Sequence, residues 1–254
     1  MDWHKAPEGI LDAHAHLEEP LDTVLAGRKK RGIYTWLCGM YPEECERIET
    51  LRQEETAFAE AVLPVYGLHP WYSDQYELKD MYRFLEKAAV IGEIGMDSLW
   101  CQVPLKRQQE IFTRQLVFAR EAQKPVLLHT KDQERQIDEL LKHYDGRVCI
   151  HWYSGPLDVL KRWADRGYYF TIGPEGPYSS ALEWIMEHVS LSRLLVETDG
   201  REAAEWARKR PVSEEELPGI LSESLSVIAG RRGISVEKVR TQIWENAERF
   251  LENG

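Results

Sequence analysis

The strongest constraint on this chain is an alternation. Eight short apolar or β-rich runs punctuate it: Ile10–His16, Ile33–Cys38, Leu63–Leu68, Val90–Ile94, Val126–His129, Val148–His151, Tyr168–Ile172 and Leu194–Thr198. Helix-like stretches separate most of them. Gln108 to Gln123 is one, with Ile111, Leu116 and Phe118 in a partly periodic apolar pattern and Lys106, Arg107 and Arg114 outside it. Strand followed by helix, repeated, makes the strands parallel. Eight such units in 254 residues match the length of a (β/α)8 barrel, so the sequence predicts an α/β barrel formed by one domain, residues 1–254. No linker, repeat or low-complexity segment divides it, and a doubly wound open sheet is the alternative. After the eighth run the chain becomes helical. Ser213-Glu214-Glu215-Glu216 has the form of a capping box, Pro218 to Ala229 is mostly apolar on one side, and a last helix is predicted from Ser235 to Leu251. Asn246 in that helix is expected to bond backbone and is given no chemical role.

Composition narrows the class. Hydrophobic residues make up 43%, enough for a core, and no stretch approaches the roughly 18 apolar residues of a membrane span. Met1-Asp2-Trp3-His4-Lys5 lacks the basic start and apolar run of a secretory signal. Cys38, Cys45, Cys101 and Cys149 form no Cys-x-x-Cys pair, so reduced thiols in the cytoplasm are expected. The net charge of −11 disfavours sequence-independent wrapping of nucleic acid, which draws on Lys and Arg. It leaves a nuclease open, because divalent cations in a pocket reverse the local field. The one basic run, Arg28-Lys29-Lys30-Arg31 before Gly32, reads as the last turn of a helix.

Barrel enzymes place their chemistry at the carboxyl ends of the strands, so the residues ending each run matter most. The first run ends in Asp12-Ala13-His14-Ala15-His16. Alternate side chains of a strand share a face, so Asp12, His14 and His16 are expected on one side, where two imidazoles can grip one metal ion. The third run leads into Gly67-Leu68-His69-Pro70, the fourth into Gly92-Glu93-Ile94-Gly95, the fifth into His129-Thr130, the sixth into His151-Trp152 and the eighth into Glu197-Thr198-Asp199-Gly200. Five of the eight histidines lie at such ends, which is hard to reconcile with chance. Four histidines and two carboxylates exceed the needs of one tetrahedral zinc and suit two divalent ions ~3.5–4 Å apart, bridged by a carboxylate. Glu93, set between glycines that permit close backbone approach, is the best candidate for the bridge.

Taken together, Asp12 to Leu17, Gly67 to Pro70, Ile91-Gly92-Glu93-Ile94-Gly95-Met96-Asp97, Pro125 to Asp132, His151-Trp152-Tyr153-Ser154-Gly155 and Leu194 to Asp199 resemble the TatD family of metal-dependent deoxyribonucleases. The likeness runs through almost the whole chain in the same order, and Arg107 to Ala119 resembles the family's helix before the fifth strand. The resemblance implies a TIM barrel of the amidohydrolase superfamily. It assigns His14, His16, Glu93 and Asp199 to one metal ion, and Glu93, His129 and His151 to the other. His69 matches a histidine that faces substrate. Three departures stand out. Lys131 replaces the usual Arg and offers a point charge instead of a fork to phosphate. Gly200-Arg201 follows Asp199 where a small residue and Pro are usual. Trp152 and Tyr153 are bulkier than their counterparts, suited to stacking on bases or to rim packing.

The expected reaction is hydrolysis of phosphodiesters in DNA, single-stranded or at strand ends, by a metal-activated water, with Asp199 accepting its proton and His69 and Lys131 binding the phosphoryl group. Trp152 is a further candidate for substrate contact. The same donor set could attack a carboxylic ester, lactone or amide, including an aminoacyl-tRNA ester. A non-catalytic metal-binding scaffold is the third reading. Zn, Mn, Mg and Co all suit such donors, and oligomeric state, strand polarity and preference between DNA and RNA are left open.

Overall fold

The computed structural model describes residues 9–18 and 32–252, so the basic run Arg28 to Arg31 lies outside the described residues. Eight parallel strands follow one another in chain order. They are β1 (Ile10–His16), β2 (Ile33–Gly39), β3 (Val62–Tyr66), β4 (Val90–Asp97), β5 (Val126–Lys131), β6 (Val148–Ile150), β7 (Tyr169–Ile172) and β8 (Leu194–Val196). All residues of β3 through β8 are buried, because the sheet is covered on both faces, which is why they read as continuous apolar runs and not as alternation. The barrel is completed between β1 and β8 by side chain as much as by backbone. Asp199 N donates to His14 O at 3.0 Å, while the buried Asp12 carboxylate accepts from Thr198 N at 2.8 Å and Thr198 Oγ1 at 2.6 Å.

The helices around the sheet are α1 (Pro42–Glu54), α2 (Thr56–Ala61), α3 (Leu78–Leu85), α4 (Leu105–Glu121), α5 (Glu134–Leu140), α6 (Leu157–Asp165), α7 (Ser180–His188), α8 (Arg201–Arg208), α9 (Leu217–Arg232) and α10 (Val236–Leu251). Their inner faces follow helical spacing, as in α3, where Leu78, Met81, Phe84 and Leu85 are buried. The sequence signals for the last helices hold. Ser213 and Glu216 close a capping box, and Ser235 Oγ accepts from Lys238 N at 3.2 Å at the start of α10. Asn246 does bond backbone: its Nδ2 donates to Leu191 O at 2.7 Å and Leu194 O at 2.8 Å, fastening α10 to the amino end of β8.

α4 starts three residues before the predicted Gln108, and two buried glutamines on it hold the opposite end of the barrel. Gln108 accepts from Asp97 N at 2.8 Å and donates to Asp97 O at 3.0 Å, and Gln115 makes the same two-way bond with the backbone of Leu68 at 2.7 and 3.0 Å. These bonds fix the segments that lead to His69 and out of β4.

Candidate active site

The strands deliver the polar residues to one mouth. His14 and His16 lie at the end of β1, Glu93 within β4 and His129 within β5. The third, sixth and eighth strands end earlier than the sequence runs, at Tyr66, Ile150 and Val196, so His69, His151 and Asp199 sit on the turns just beyond. Asp199 has φ 57, in the left-handed region that Asp tolerates, and its N–H bond to His14 O brings its carboxylate beside β1. Gly95, at φ 154, lets β4 press against β5: a Cβ there would strike the carbonyl oxygen of His129.

At the centre, four atoms converge. His14 Nε2 lies 3.1 Å from His16 Nε2, 3.1 Å from Asp199 Oδ1 and 3.5 Å from Glu93 Oε2. His16 Nε2 lies 3.2 Å from Glu93 Oε2 and 3.4 Å from Asp199 Oδ1. Ligands ~2.1 Å from a divalent ion are ~3.4 Å apart in a tetrahedron and ~3.0 Å in an octahedron. These spacings fall in and around that window: His14, His16 and Glu93 offer three ligand atoms to one ion, and Asp199 Oδ1 lies in the same range of both imidazoles.

The other Glu93 oxygen faces a second, looser group. Oε1 is 2.6 Å from His129 Nδ1 and 3.7 Å from His151 Nε2, which is itself 3.7 Å from Asp199 Oδ2. Each of these histidines is backed by a further acid. His129 Nε2 meets Asp97 Oδ2 at 3.0 Å, and His151 Nδ1 meets Glu197 Oε2 at 3.0 Å. Such partners fix the ring and its tautomer.

His69 also comes within range of Glu93, 3.6 Å from Nε2 to Oε2, and by spacing alone could join Glu93 and His129 around an ion. Its tautomer argues otherwise. His69 Nδ1 accepts the backbone N–H of Trp71 at 3.3 Å, and burial pushes its pKa well down despite nearby Glu93, so the neutral ring carries its proton on Nε2. It presents a donor to the mouth.

Electrostatics follow from the crowding. Burial disfavours the charged form of Glu93, but the imidazoles of His14, His129, His151 and His69 outweigh it and hold the carboxyl well below its usual range. Asp199 is held low in the same way, burial being outweighed by His151 and His14. For His16, burial is overcome by the Glu93 hydrogen bond and the Asp199 charge, and the pKa is pushed up to about 9. Lys131 is buried, which lowers its pKa against the pull of Asp199 and Glu93. Its Nζ donates to Trp152 O at 2.7 Å. Lys131 and Trp152 line the same cavity of about 460 Å³ as His16, Glu93, His129 and Asp199. Tyr153 does not join them: it is fully buried, packs edge-on against Trp163 and donates to Pro156 O at 2.6 Å. Asp12, expected on the face of His14 and His16, is spent instead on Thr198 across the barrel seam.

Three functional neighbours escaped the sequence reading. Asp97 and Glu197 back two histidines, and the buried Cys38 sets its Sγ 3.1 Å from His14 Nδ1. The signal for Asp97 was its place on alternate residues from Glu93 along one strand. Cys38 carried a weaker one, as the end of the second run.

A family model for TatD-related DNases matches residues 11–252. The deoxyribonuclease TATDN3 of Homo sapiens is 27% identical, covering 94% of this chain and 93% of its own. An uncharacterized metal-dependent hydrolase of Methanocaldococcus jannaschii, MJ1582, is 26% identical over 95% and 96% of the two chains. Among solved structures, YJJV, the TatD homolog from Escherichia coli K12, superposes with a TM-score of 0.80 over 95% of this chain and 97% of its own at 22% identity, a likeness of fold. With the family model spanning nearly the whole chain and its metal-ready donors gathered at one barrel mouth, this protein belongs to the TatD-related DNase family.

Proposed function

We infer that this chain is a divalent-metal-dependent phosphodiesterase acting on DNA. The observation that carries the reading is the pair of imidazoles His14 and His16, each within 3.1–3.5 Å of a Glu93 and an Asp199 carboxylate oxygen, a spacing that suits ligands of a bound ion. Glu93, His129 and His151 would hold a second one. Mixed nitrogen and oxygen donors suit Zn, Mn or Co better than Mg. Bound there, the cations supply Lewis acidity toward a phosphoryl oxygen and make water more acidic.

The chain's own groups do the rest. Asp199, ionised and facing the cavity, accepts at Oδ2 the proton of the attacking water. His69 donates from Nε2 to a phosphoryl oxygen, and Lys131, steadied by Trp152 O, adds a cation beside it. Trp152 shapes the wall next to them. Four free cysteines, three of them buried, suit the cytoplasm as the working compartment. No helix among the described residues is long and apolar enough to cross a membrane. The superfamily's ester and lactone chemistry is the rival outcome.

Purified protein should be given end-labelled single-stranded DNA and a panel of esters and lactones, with Zn, Mn or Mg and a chelator control. Metal-dependent loss of DNA with the esters untouched supports the reading, and turnover of esters alone replaces it. His14→Ala and Asp199→Asn should each lower kcat/KM by about 10³-fold or more while the protein stays folded. Near-parental DNA hydrolysis in either variant overturns the assignment.

A further inference from the structure

One wall of the cavity is built of tryptophan, and two of its members, Trp100 and Trp206, have no part in the chemistry above. Trp100 is 49% exposed and Trp206 66% exposed. They meet edge-on, with centroids 6.0 Å apart at 83°, and Trp206 meets Trp152 at 6.0 Å and 75°. Large indoles left this open are costly in water and contribute little to the core. Their backbones are nevertheless held firmly. Asp97 accepts from Trp100 N at 2.8 Å. Trp206 rides on α8, whose first turn is capped from outside: Glu18 accepts from Arg201 N at 3.0 Å and Glu202 N at 2.7 Å. Gly200 allows that cap to sit so close, since at φ 90 it has no Cβ to meet Glu18 Oε1 at 2.7 Å. Gly200 thus lets Glu18 cap the helix that brings Trp206 to the mouth.

We propose that Trp100 and Trp206, backed by Trp152, form a stacking subsite for the nucleobase next to the scissile phosphate. An edge-to-face pair leaves indole faces uncovered, which suits a flat, uncharged ring. The ring's owner must also carry an anion, because Lys131 Nζ lies 5.9 Å from the Trp100 and Trp152 rings and the donor cluster lines the same cavity. A nucleotide meets both demands. A base inside a duplex has both faces already stacked, so the subsite selects unpaired nucleotides: single strands or frayed ends. This deepens the phosphodiesterase reading and rests on it.

The test compares Trp206→Ala, Trp100→Ala and Trp206→Phe on a single-stranded oligonucleotide and on the same strand made abasic at the nucleotide flanking the cleaved bond. Trp206→Ala should raise KM for the intact strand about tenfold, more than it lowers kcat, with Phe recovering most of the loss. On the abasic strand, parent and Ala variant should share one high KM. An equal loss on both strands, or none on the intact strand, overturns the subsite. If the parent hydrolyses no phosphodiester with any metal, the functional reading fails by itself, and the subsite is judged by binding. Quenching of tryptophan fluorescence by the intact strand but not by the abasic one, reduced in Trp206→Ala, upholds it; equal or absent quenching ends it.

Discussion

His129 and His151 both approach Glu93 Oε1, each with one ring nitrogen toward it and the other toward a second acid, yet the two supports are built in opposite ways. Behind His129, Asp97 accepts from Leu99 N at 2.7 Å, Trp100 N at 2.8 Å, Trp71 Nε1 at 2.7 Å and the imidazole itself. Burial opposes its charge, but these donors outweigh it and keep the carboxylate ionised. Behind His151, the fully buried Glu197 uses one oxygen, and its Oε1 has no hydrogen-bond partner. Burial drives its pKa well above the usual range, with Asp199 and Asp12 adding to the rise over the pull of His14 and the Thr171 hydroxyl. Many donors thus favour the charged form of the acid behind His129, while burial favours the neutral form of the acid behind His151. The difference teaches that similar-looking acid–histidine pairs at one mouth can supply ligands of unequal basicity, decided by how many donors reach the acid.

The largest expected effect lies on the charged side. Asp97→Asn turns an amide toward a set of groups that all donate, and because each oxygen serves two of them, two lose their acceptor. We expect metal affinity and kcat/KM to fall about 10- to 100-fold. Because Asp97 also holds Trp71 and the backbone of Trp100, KM for single strands should rise as well. Calorimetric titration with Mn or Zn beside steady-state kinetics checks both, and parental metal affinity in this variant would remove the contrast.

The next effect is a difference in pH response. A histidine must present a lone pair to a metal, so one that holds a proton at neutral pH must release it on binding. His129 is shifted that way: burial lowers its pKa, but Glu93 and Asp97 more than restore it. His16, pushed up to about 9, is another. His151 is not, since burial brings it down to about 4 and Asp199 and Glu93 recover only part. Affinity should therefore climb with pH toward 9, less steeply in His129→Ala, where His16 still releases its proton, and with its slope kept in His151→Ala. Proton release measured in buffers of different ionisation enthalpy reads this directly. Equal flattening in both variants would show the two rings to be alike.

Much of this was legible before any coordinates. The strands were visible because parallel strands covered on both faces are plain apolar runs, and the donors because barrel topology sends every strand end to the same mouth. What could not be read was which acids stand behind the ligands. Glu197 is two residues from Asp199 and looks equivalent to it, and only packing shows that one faces the cavity while the other is sealed behind His151. Asp12 shares the alternation of His14 and His16, but the ladder between β1 and β2 shifts register between Asp12 and Ala15, and Thr198, just past β8 across the barrel seam, claims the carboxylate. Pattern fixes a residue's place along a strand; its partners come from segments nearly 200 residues away.

The smallest effect is the most discriminating. Glutamine is nearly isosteric with a protonated glutamate, so Glu197→Gln keeps a carbonyl oxygen where Oε2 now meets His151 Nδ1, and places its amide where Oε1 has no partner to lose. Metal affinity and kcat/KM should change by less than about threefold, against the tenfold or more that removal of a backing group commonly costs. Glu197→Ala instead strands the buried Nδ1–H of His151 and should cost about 1–3 kcal/mol of stability by denaturant melt. A Glu197→Gln variant as impaired as Asp97→Asn would mean that Glu197 carries charge in the folded protein, and that burial has been outweighed on this side of the mouth as it is on the other.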